Sequence, residues 1–427
     1  MIFASLLSLL SLLFMGIPVA ATLAITGLIL SGLYSPLPLH FAIAEISWTV
    51  TNNFLLIAIP LFVMLGELLL RSGLASRMYS ALVLWMPWLP GGLMHSNIAA
   101  CAMFAATSGS SVATAATIGT VALQEVKRNS YNERLFLGTI AAGGTLGILI
   151  PPSVNLILFG VLTETSIPRL YLAGILPGFL LAGFFSLLVV VLCLWRPEWG
   201  GTQTRASWSD RLHALPDLLP PLVIFLAVIG SIYMGWATAT EAAALGVVTT
   251  ALIAALYGCL SLRVILSAFE GTMRTSAMIM AVMIGAYFLN LVFGATGLPA
   301  AVSTWITGMA LTPFELFCLV VAFYFVLGMF METLSMMVAT VPIVAPILAA
   351  AGFDPVWTGI IIVLLMEIAL ITPPVGLNLF VVQSLRKRGP MADVILGTAP
   401  FVLVMIGFVF LLYAWPDLAL WLPRSMR

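Results

Sequence analysis

Long apolar stretches separated by short polar segments run along the whole chain. A helix needs about 20 apolar residues to cross the hydrocarbon core of a bilayer, which is about 30 Å thick. Stretches that meet this requirement lie at 3–30, 51–70, 135–162, 170–195, 217–236, 241–260, 275–293, 356–382 and 392–415. The pattern therefore predicts an all-α polytopic membrane protein. The first stretch predicts a spanning helix and not a signal peptide, because no basic segment precedes it.

Two further apolar regions, 92–126 and 314–349, are interrupted near their middle by small or polar residues. The first contains the run Thr107–Ser111 and the second contains the run Gly328–Thr333. Each half is too short to cross the bilayer by itself. We expect both regions to form re-entrant hairpins whose tips lie at mid-depth, where irregular backbone must face protein or a water-filled cavity.

Two of the long stretches are interrupted in their interior by a proline pair. The first reads ILIPPSVNLILF from Ile148 to Phe159, and the second reads ITPPVGLNLF from Ile371 to Phe380. A proline pair removes two backbone donors and disfavours helical geometry in the residue before it. We therefore expect two broken helices, within 135–162 and 356–382.

The hairpins and the broken helices recur at a fixed distance along the chain. A shift of 222 residues places Pro151-Pro152 on Pro373-Pro374, and a slip of one more residue places Asn155 on Asn378. The expected organisation is a first helix and loop at 1–44, repeat 1 at 45–195, a cytoplasmic linker with connecting helices at 196–267, and repeat 2 at 268–427.

Basic residues change sides between the two repeats. The segment 127–134 carries three basic residues, whereas its mate at 350–356 carries none. The segment 163–169 carries only Arg169, whereas its mate carries three in a row, Arg386–Arg388. Since basic loops stay on the cytoplasmic side, this alternation predicts inverted repeats. The same rule predicts a cytoplasmic N-terminus and a periplasmic C-terminus.

Composition narrows the possible functions. Hydrophobic residues make up 62% of the chain and charged residues 7%, and the mean hydropathy is +1.17. A soluble domain carries about 25% charged residues, so the bilayer is the solvent here. The net charge is zero and no basic tract indicates a nucleic-acid partner. We find neither HExxH nor GxSxG, and the glycine-rich Gly143–Gly147 lies within a span without a following lysine. We expect no enzyme, no catalytic residue and no organic cofactor.

Inverted repeats with broken helices place binding sites near the bilayer midplane. Broken helices expose carbonyl oxygens, which suit a hard cation such as Na⁺, and N–H groups, which suit a carboxylate. The candidate Na⁺ ligands are Ser108, Gly109, Ser110 and Asn155 around the first break, and Gly328, Glu332, Thr372, Gly376 and Asn378 around the second. The candidate substrate contacts are Ser110, Ser111, Thr114, Thr333 and Ser335. The alternative is that these small residues only allow close helix packing.

Two acidic residues near the second break can each be interpreted in two ways. Glu332 lies at the predicted hairpin tip and either binds a cation or bonds the amides that the tip leaves free. Glu367 lies in the span just before Pro373-Pro374. An intramembrane acid is energetically costly and indicates function by default. Glu367 is predicted either to serve a cation or proton directly, or to pair with a neighbouring helix.

Several runs of the chain carry a family resemblance. The most telling are IPLFVMLGELLLRSGLA (59–75), FAATSGSSVATAATIGT (104–120), GGTLGILIPPSVNLILFG (143–160), ATATEAAALGV (237–247), GMFMETLSMMVATVPIVAPI (328–347) and EIALITPPVGLNLFVVQ (367–383). Over essentially its whole length the chain resembles the large membrane subunit of tripartite ATP-independent periplasmic (TRAP) transporters.

The resemblance implies an elevator-type ion-transporter fold in the bacterial inner membrane. It implies a small four-helix membrane subunit and a periplasmic substrate-binding protein as partners. It also implies Na⁺ as coupling ion, without ATP, and a small organic acid as substrate. Two alternatives remain at this point: an autonomous ion-coupled dicarboxylate symporter or antiporter, and a membrane scaffold or sensor without flux.

Overall fold

The computed structural model describes residues 2–126, 131–201, 207–309 and 311–425. Within these ranges the chain forms helices joined by turns, and the described residues contain no strand. Residues 127–130 of the predicted basic segment and residues 202–206 of the predicted linker lie outside the described ranges.

The first half contains α1 (Ile2–Phe14), α2 (Val19–Tyr34), α3 (Ile43–Thr51), α4 (Ala58–Arg71), α5 (Leu74–Trp85), α6 (Leu93–Ser108), α7 (Ser111–Val126), α8 (Glu133–Leu149), α9 (Val154–Thr163) and α10 (Ile167–Trp195). The connecting region contains α11 (Trp208–Ala214), α12 (Leu219–Tyr233) and α13 (Ala239–Leu256). The second half contains α14 (Leu262–Ala295), α15 (Leu298–Gly308), α16 (Pro313–Gly328), α17 (Thr333–Ala350), α18 (Pro355–Leu370), α19 (Leu377–Arg386), α20 (Met391–Ala414) and α21 (Asp417–Ser425).

Long apolar helices confirm that the chain is a polytopic helical membrane protein. Within the described residues, seven helical stretches are long and apolar enough to cross a bilayer. The pair α8 and α9 passes the same test together, with a bend of 40° at Pro151-Pro152. The interior holds a continuous apolar core that extends from α1 to α21.

The first apolar stretch differs from its prediction. The expected uninterrupted span over 3–30 is wrong, because α1 ends at Phe14 and α2 begins only at Val19. Gly16 takes a left-handed φ of 76°, and Pro18 lacks a backbone N–H group and stands directly before α2. The region 1–44 therefore begins with two short helices that pack against each other.

Hydrogen bonds at the helix ends establish the relative direction of α8 and α18. Arg134 at the start of α8 bonds Asp393 at the start of α20, with 2.8 Å between Nε and Oδ1. Trp357 at the start of α18 donates from Nε1 to the carbonyl oxygen of Leu412, near the end of α20, at 3.0 Å. Since the two ends of α20 lie far apart, α8 and α18 run in opposite directions, as inverted repeats require.

The two helical hairpins enter from opposite ends of this helical body. The hairpin α6–α7 begins where α8 begins, since the amide of Leu93 donates to the Tyr131 hydroxyl at 3.2 Å. The hairpin α16–α17 begins where α18 begins and α20 ends. There the Phe317 ring lies 5.8 Å from the Trp357 ring and 4.6 Å from the Tyr413 ring, between centroids. Both tips therefore point towards the middle of the body.

Candidate functional site

The tip of the first hairpin rests on the first helix break. Helix α6 ends at Ser108, and Gly109 reverses the chain with a left-handed φ of 61°. A Cβ atom at Gly109 would lie 2.8 Å from the carbonyl oxygen of Pro152, so only glycine fits this approach. Ser108 and Thr114 join their hydroxyls at 3.0 Å, and Thr114 also donates to the carbonyl oxygen of Ser110 at 2.7 Å.

Helix α9 restarts after the break under a serine cap. The Ser153 hydroxyl donates to the Ile148 carbonyl at 2.5 Å and accepts from the Leu156 amide at 3.4 Å. Asn155 in the first turn of α9 is 2% exposed, and its Nδ2 has no partner among the described residues. A buried amide donor without a partner costs about 1–3 kcal/mol, so this position suits a ligand that accepts a hydrogen bond.

Asn378 in the first turn of α19 joins the second break to the first hairpin. It is fully buried, and its Nδ2 donates to the Ser111 hydroxyl at 2.8 Å and to the Ala141 carbonyl at 3.1 Å. Its Oδ1 has no partner among the described residues. This amide therefore links α7 and α8 to α19 and presents one free acceptor oxygen.

The predicted grouping of the site residues is thus wrong in one respect. The sequence groups Asn378 with the second hairpin, but its side chain bonds the first. The reason is that the two repeats interdigitate: α19 packs against α7, and α17 packs against α9, which carries Asn155. Each asparagine follows the proline pair of one repeat and lies on a helix that contacts the hairpin of the other.

The tip of the second hairpin rests on the second break. A Cβ atom at Gly328 would overlap the side chain of Ala369 in α18. The amide of Val375 donates to the Met329 carbonyl at 3.3 Å. Thr372 donates its hydroxyl to the Ile368 carbonyl at 2.6 Å, so its hydroxyl oxygen keeps acceptor capacity.

Glu332 caps α17. Its Oε2 accepts from the Ser335 amide at 3.3 Å and from the Ser335 hydroxyl at 3.0 Å, and its Oε1 accepts from the Thr333 hydroxyl at 3.3 Å. These contacts favour the interpretation of Glu332 as a carboxylate that bonds the amides freed at the tip. Both predicted substrate hydroxyls of this hairpin already donate to the Glu332 carboxyl group, which weakens their case as contacts for a substrate carboxylate. Gly376 takes a left-handed φ of 36° just before α19.

Glycines in α8 pack closely against the candidate site residues, a role that the sequence pattern of Gly143–Gly147 did not predict. A Cβ atom at Gly147 would lie 2.7 Å from the Ser110 carbonyl oxygen and 2.8 Å from the Thr114 hydroxyl. A Cβ atom at Gly144 would lie 3.1 Å from Asn378 Nδ2. Gly66 in α4 approaches Ser108 in the same way, at 3.0 Å from its Cα. The available signal was the glycine spacing within an apolar span, which marks close helix packing.

A separate cavity of about 420 Å³ lies between α1, α14 and the second hairpin. Its walls include Leu9, Phe293 and Leu327 and are almost entirely apolar. Such a lining presents no charged side chain to a carboxylate or a cation. Across the described residues, no three His, Cys, Asp or Glu side chains gather as a metal site would require.

Residues 6–418 match the family model described as the tripartite ATP-independent periplasmic transporter, DctM component. The chain belongs to the DctM family. This result confirms the resemblance found in the sequence. The DctM relatives are transporter permeases, not enzymes, and the chain is accordingly a multi-pass membrane permease of a bacterial TRAP system.

The relatives of this chain in the DctM family are named for different substrates. The chain is 32% identical over 88% of its length to the C4-dicarboxylate TRAP transporter large permease protein DctM of Pseudomonas aeruginosa, covering 87% of that protein. It is 31% identical over 98% of both chains to the protein of the same name from Rhodobacter capsulatus. It is also 31% identical over 86% of its length to an ectoine/5-hydroxyectoine TRAP large permease of Ruegeria pomeroyi, covering 85% of it.

A solved structure shares the fold of this DctM family member. The Alcanivorax borkumensis YdaH transporter matches with a TM-score of 0.65 over 97% of this chain and 99% of that one, at 17% sequence identity. At that level of identity the likeness concerns the fold alone.

Proposed function

We propose that this permease imports a small organic acid, driven by a Na⁺ gradient, and that Asn155 and Asn378 lie at the centre of its site. The observation that carries the proposal is the pair of buried amide atoms without partners. The free Oδ1 of Asn378 suits a cation. The free Nδ2 of Asn155 suits a carboxylate oxygen, which accepts hydrogen bonds.

The remaining candidate ligands support this arrangement. Around Asn378, the Ser108–Ser111 tip supplies hydroxyl and carbonyl oxygens, and Thr372 supplies another near the second tip. Na⁺ needs several such oxygens at once. A break at mid-depth supplies them without a formal charge on the protein, so the empty site does not bury an uncompensated anion.

We also propose two partners: a small four-helix membrane subunit and a periplasmic binding protein that delivers the substrate. The family description as a tripartite system supports this proposal. A relative from Oleidesulfovibrio alaskensis, named isethionate TRAP transporter permease protein DctMQ, also supports it. The chain aligns with that relative over 92% of its own length but over only 62% of the relative, which leaves room there for a fused small subunit. In this proposal the N-terminus is cytoplasmic, the C-terminus is periplasmic, and the membrane is the bacterial inner membrane.

Uptake by reconstituted protein tests the proposal. Proteoliposomes would contain this permease with the small subunit encoded beside it, and the cognate binding protein would be added outside. Radiolabelled succinate, ectoine and sialic acid would be supplied in turn, since relatives are named for these substrate classes. We expect accumulation of one of them that needs both an inward Na⁺ gradient and the binding protein.

Other results would point elsewhere. Na⁺-driven uptake without the binding protein would indicate an autonomous symporter or antiporter. Binding of the loaded binding protein without any flux would indicate a scaffold or sensor.

A further inference from the structure

Glu367 is a fully buried acid that the proposed Na⁺ and substrate site does not use. Its side chain lies in α18, one turn before that helix ends at Leu370, and its exposed fraction is 0%. Both carboxyl oxygens lack a hydrogen-bond partner among the described residues. The backbone of Leu149, the last residue of α8, faces the carboxyl without closing a hydrogen bond. Glu367 therefore lies where α18 passes the end of α8, between the two helix breaks.

Among the described residues, no charged group pairs with Glu367. The helices packed against α18 are α8, α9, α10, α16, α17, α19, α20 and α21. Most charged residues on these helices lie at helix ends, towards a face of the membrane; they are Glu133, Arg134, Glu164, Arg169, Glu315, Asp354, Arg386, Lys387, Asp393, Asp417 and Arg424.

The other titratable groups on those helices are Glu332, the tyrosines Tyr171, Tyr324 and Tyr413, and the free cysteines Cys193 and Cys318, and none of them bonds Glu367. Glu332 is bonded to Ser335 and Thr333. The Tyr324 hydroxyl lies 2.7 Å from the Thr340 hydroxyl. The buried Tyr171 hydroxyl has no partner among the described residues, and its ring packs against Phe62.

A bare carboxylate in such a place is energetically prohibitive, and a buried acid without a partner is held as the neutral acid instead. A metal ion would need several more oxygens than this carboxyl supplies. A proton needs one. We propose that Glu367 is a proton-binding site of this permease, loaded while α18 is buried and released when the broken helices open to water.

The step is a simple acid dissociation. The O–H bond of the Glu367 carboxylic acid breaks, the electron pair stays on the carboxylate, and the proton passes to water. Reburial of α18 requires the reverse step. Transport would then carry a pH dependence of its own, beyond its dependence on Na⁺. The inference rests on the proposed transport function, because only a cycle that opens the breaks exposes Glu367.

Infrared spectroscopy of the purified protein in lipid tests this without knowledge of the substrate. We expect a carbonyl band from one protonated carboxylic acid per molecule at mildly acidic pH, which disappears reversibly as the pH rises. Glu367→Gln removes this band, and Glu367→Asp retains a band that still titrates. The matched control is Glu45→Gln, at an exposed acid in α3, which leaves the titrating band in place.

A band that persists through the whole pH range in which the protein stays folded would overturn the proposal, as would the same titrating band in Glu367→Gln. Na⁺ binding, followed in the same samples by tryptophan fluorescence, separates this proposal from the proposed function. A Na⁺ response together with a carboxyl that does not titrate rejects the proton site alone. Absence of any Na⁺ response, with a titrating carboxyl, counts against Na⁺ coupling and leaves the proton site standing.

Discussion

At the scale of single residues, Asn378 combines a structural task with the proposed contact to Na⁺. Two donated hydrogen bonds hold it between Ser111 and Ala141, and its buried oxygen has no partner among the described residues. Removal of the side chain leaves buried polar groups unpaired, which costs about 1–3 kcal/mol. The same removal deletes the oxygen that we assign to Na⁺.

Asn378→Leu is therefore expected to weaken Na⁺ dependence more than it lowers protein abundance. The Na⁺ concentration for half-maximal uptake should rise at least several-fold, while the yield of folded protein falls modestly. The control is Asn97→Leu, at a buried asparagine that bonds Tyr79 and Thr139 instead. That variant should lose abundance without a change in Na⁺ dependence. Equal losses of abundance and activity in Asn378→Leu would support a purely structural role.

Gly147→Ala tests the close approach of α8 to the first tip. The added methyl group would meet the Ser110 carbonyl and the Thr114 hydroxyl, so the tip has to shift and its oxygens lose their arrangement. We expect weaker Na⁺ binding in a protein that still folds, measured by the Na⁺ titration of tryptophan fluorescence. Gly183→Ala in α10, where a Cβ atom meets nothing within 4 Å, should bind Na⁺ normally. An unchanged titration in Gly147→Ala would remove α8 from the site.

The sequence pattern indicated which residues are candidates for the site, but it did not indicate which side chains contact each other. Asn155 and Asn378 stood out because they follow the proline pairs Pro151-Pro152 and Pro373-Pro374. Each of the two asparagines lies on a helix that contacts the hairpin of the other repeat, and this arrangement depends on how α19 packs against α7 in three dimensions. The spacing of residues along the chain does not reveal that contact. Glycines inside an apolar span gave a weaker signal, since most such glycines serve packing alone.

At the scale of helices, the contact between α8 and α20 holds the two halves together. A Cβ atom at Gly138 would overlap the carbonyl of Gly397, and a Cβ atom at Gly397 would overlap the carbonyl of Arg134. The two backbones therefore touch without side chains between them. Close backbone approach of this kind is the usual means of helix association in a bilayer, where apolar burial gives little drive.

Gly138→Ala should destabilise the whole protein by about 1–3 kcal/mol, the usual cost of overpacking. The measurement is thermal unfolding in detergent, followed by the reactivity of the buried Cys101 and Cys193. The control is Gly407→Ala, also in α20, where a Cβ atom would meet nothing within 4 Å. The melting temperature of this variant should stay at or above that of the parent protein. An unchanged melting temperature of Gly138→Ala would mean that α8 and α20 can move apart without a loss of stability.

The break between α1 and α2 shows that a hydropathy pattern alone does not locate every helix end. Met15, Ile17 and their neighbours are as apolar as the helices on either side, so the stretch 3–30 looks continuous. Only the local pattern of Gly16 and Pro18 marks the turn, through a left-handed φ and a missing donor. In contrast, the proline pairs and the polar tips interrupt apolar runs visibly, and those elements were predicted at nearly their observed positions.

At the scale of the molecule, an ion-pair network marks one of the two faces. Arg386 at the end of α19 bonds Glu133 at 2.7 Å and Asp393 at 2.9 Å, and Asp393 also bonds Arg134 at 2.8 Å. The network joins the starts of α8 and α20 to the end of α19. Helix α18 begins at the opposite face, beside Leu412. Charge along the sequence predicted this opposition, because the basic segments alternate between the repeats.

Cysteine labelling in intact cells tests the opposed faces. In a background without the native cysteines, Arg388→Cys and Ala350→Cys introduce single thiols at exposed positions on the two faces. A membrane-impermeant maleimide added outside should label Ala350→Cys, while Arg388→Cys reacts only after the membrane is opened. A permeant maleimide should label both and serves as the control for reactivity. Labelling of both positions from the same side would contradict the inverted arrangement.

The positions of the two asparagines have a consequence for how Na⁺ and the substrate would act together. Because Asn378 belongs to one repeat and is held by the hairpin of the other, neither half can rearrange its polar centre without disturbing its counterpart. If Asn378 binds Na⁺ and Asn155 binds the substrate, as proposed, occupancy of one centre would change the affinity of the other, and this coupling would be reciprocal. Under the proposed assignment, filling the two centres would be cooperative, because Na⁺ would raise the affinity for the substrate by the same factor as the substrate raises the affinity for Na⁺.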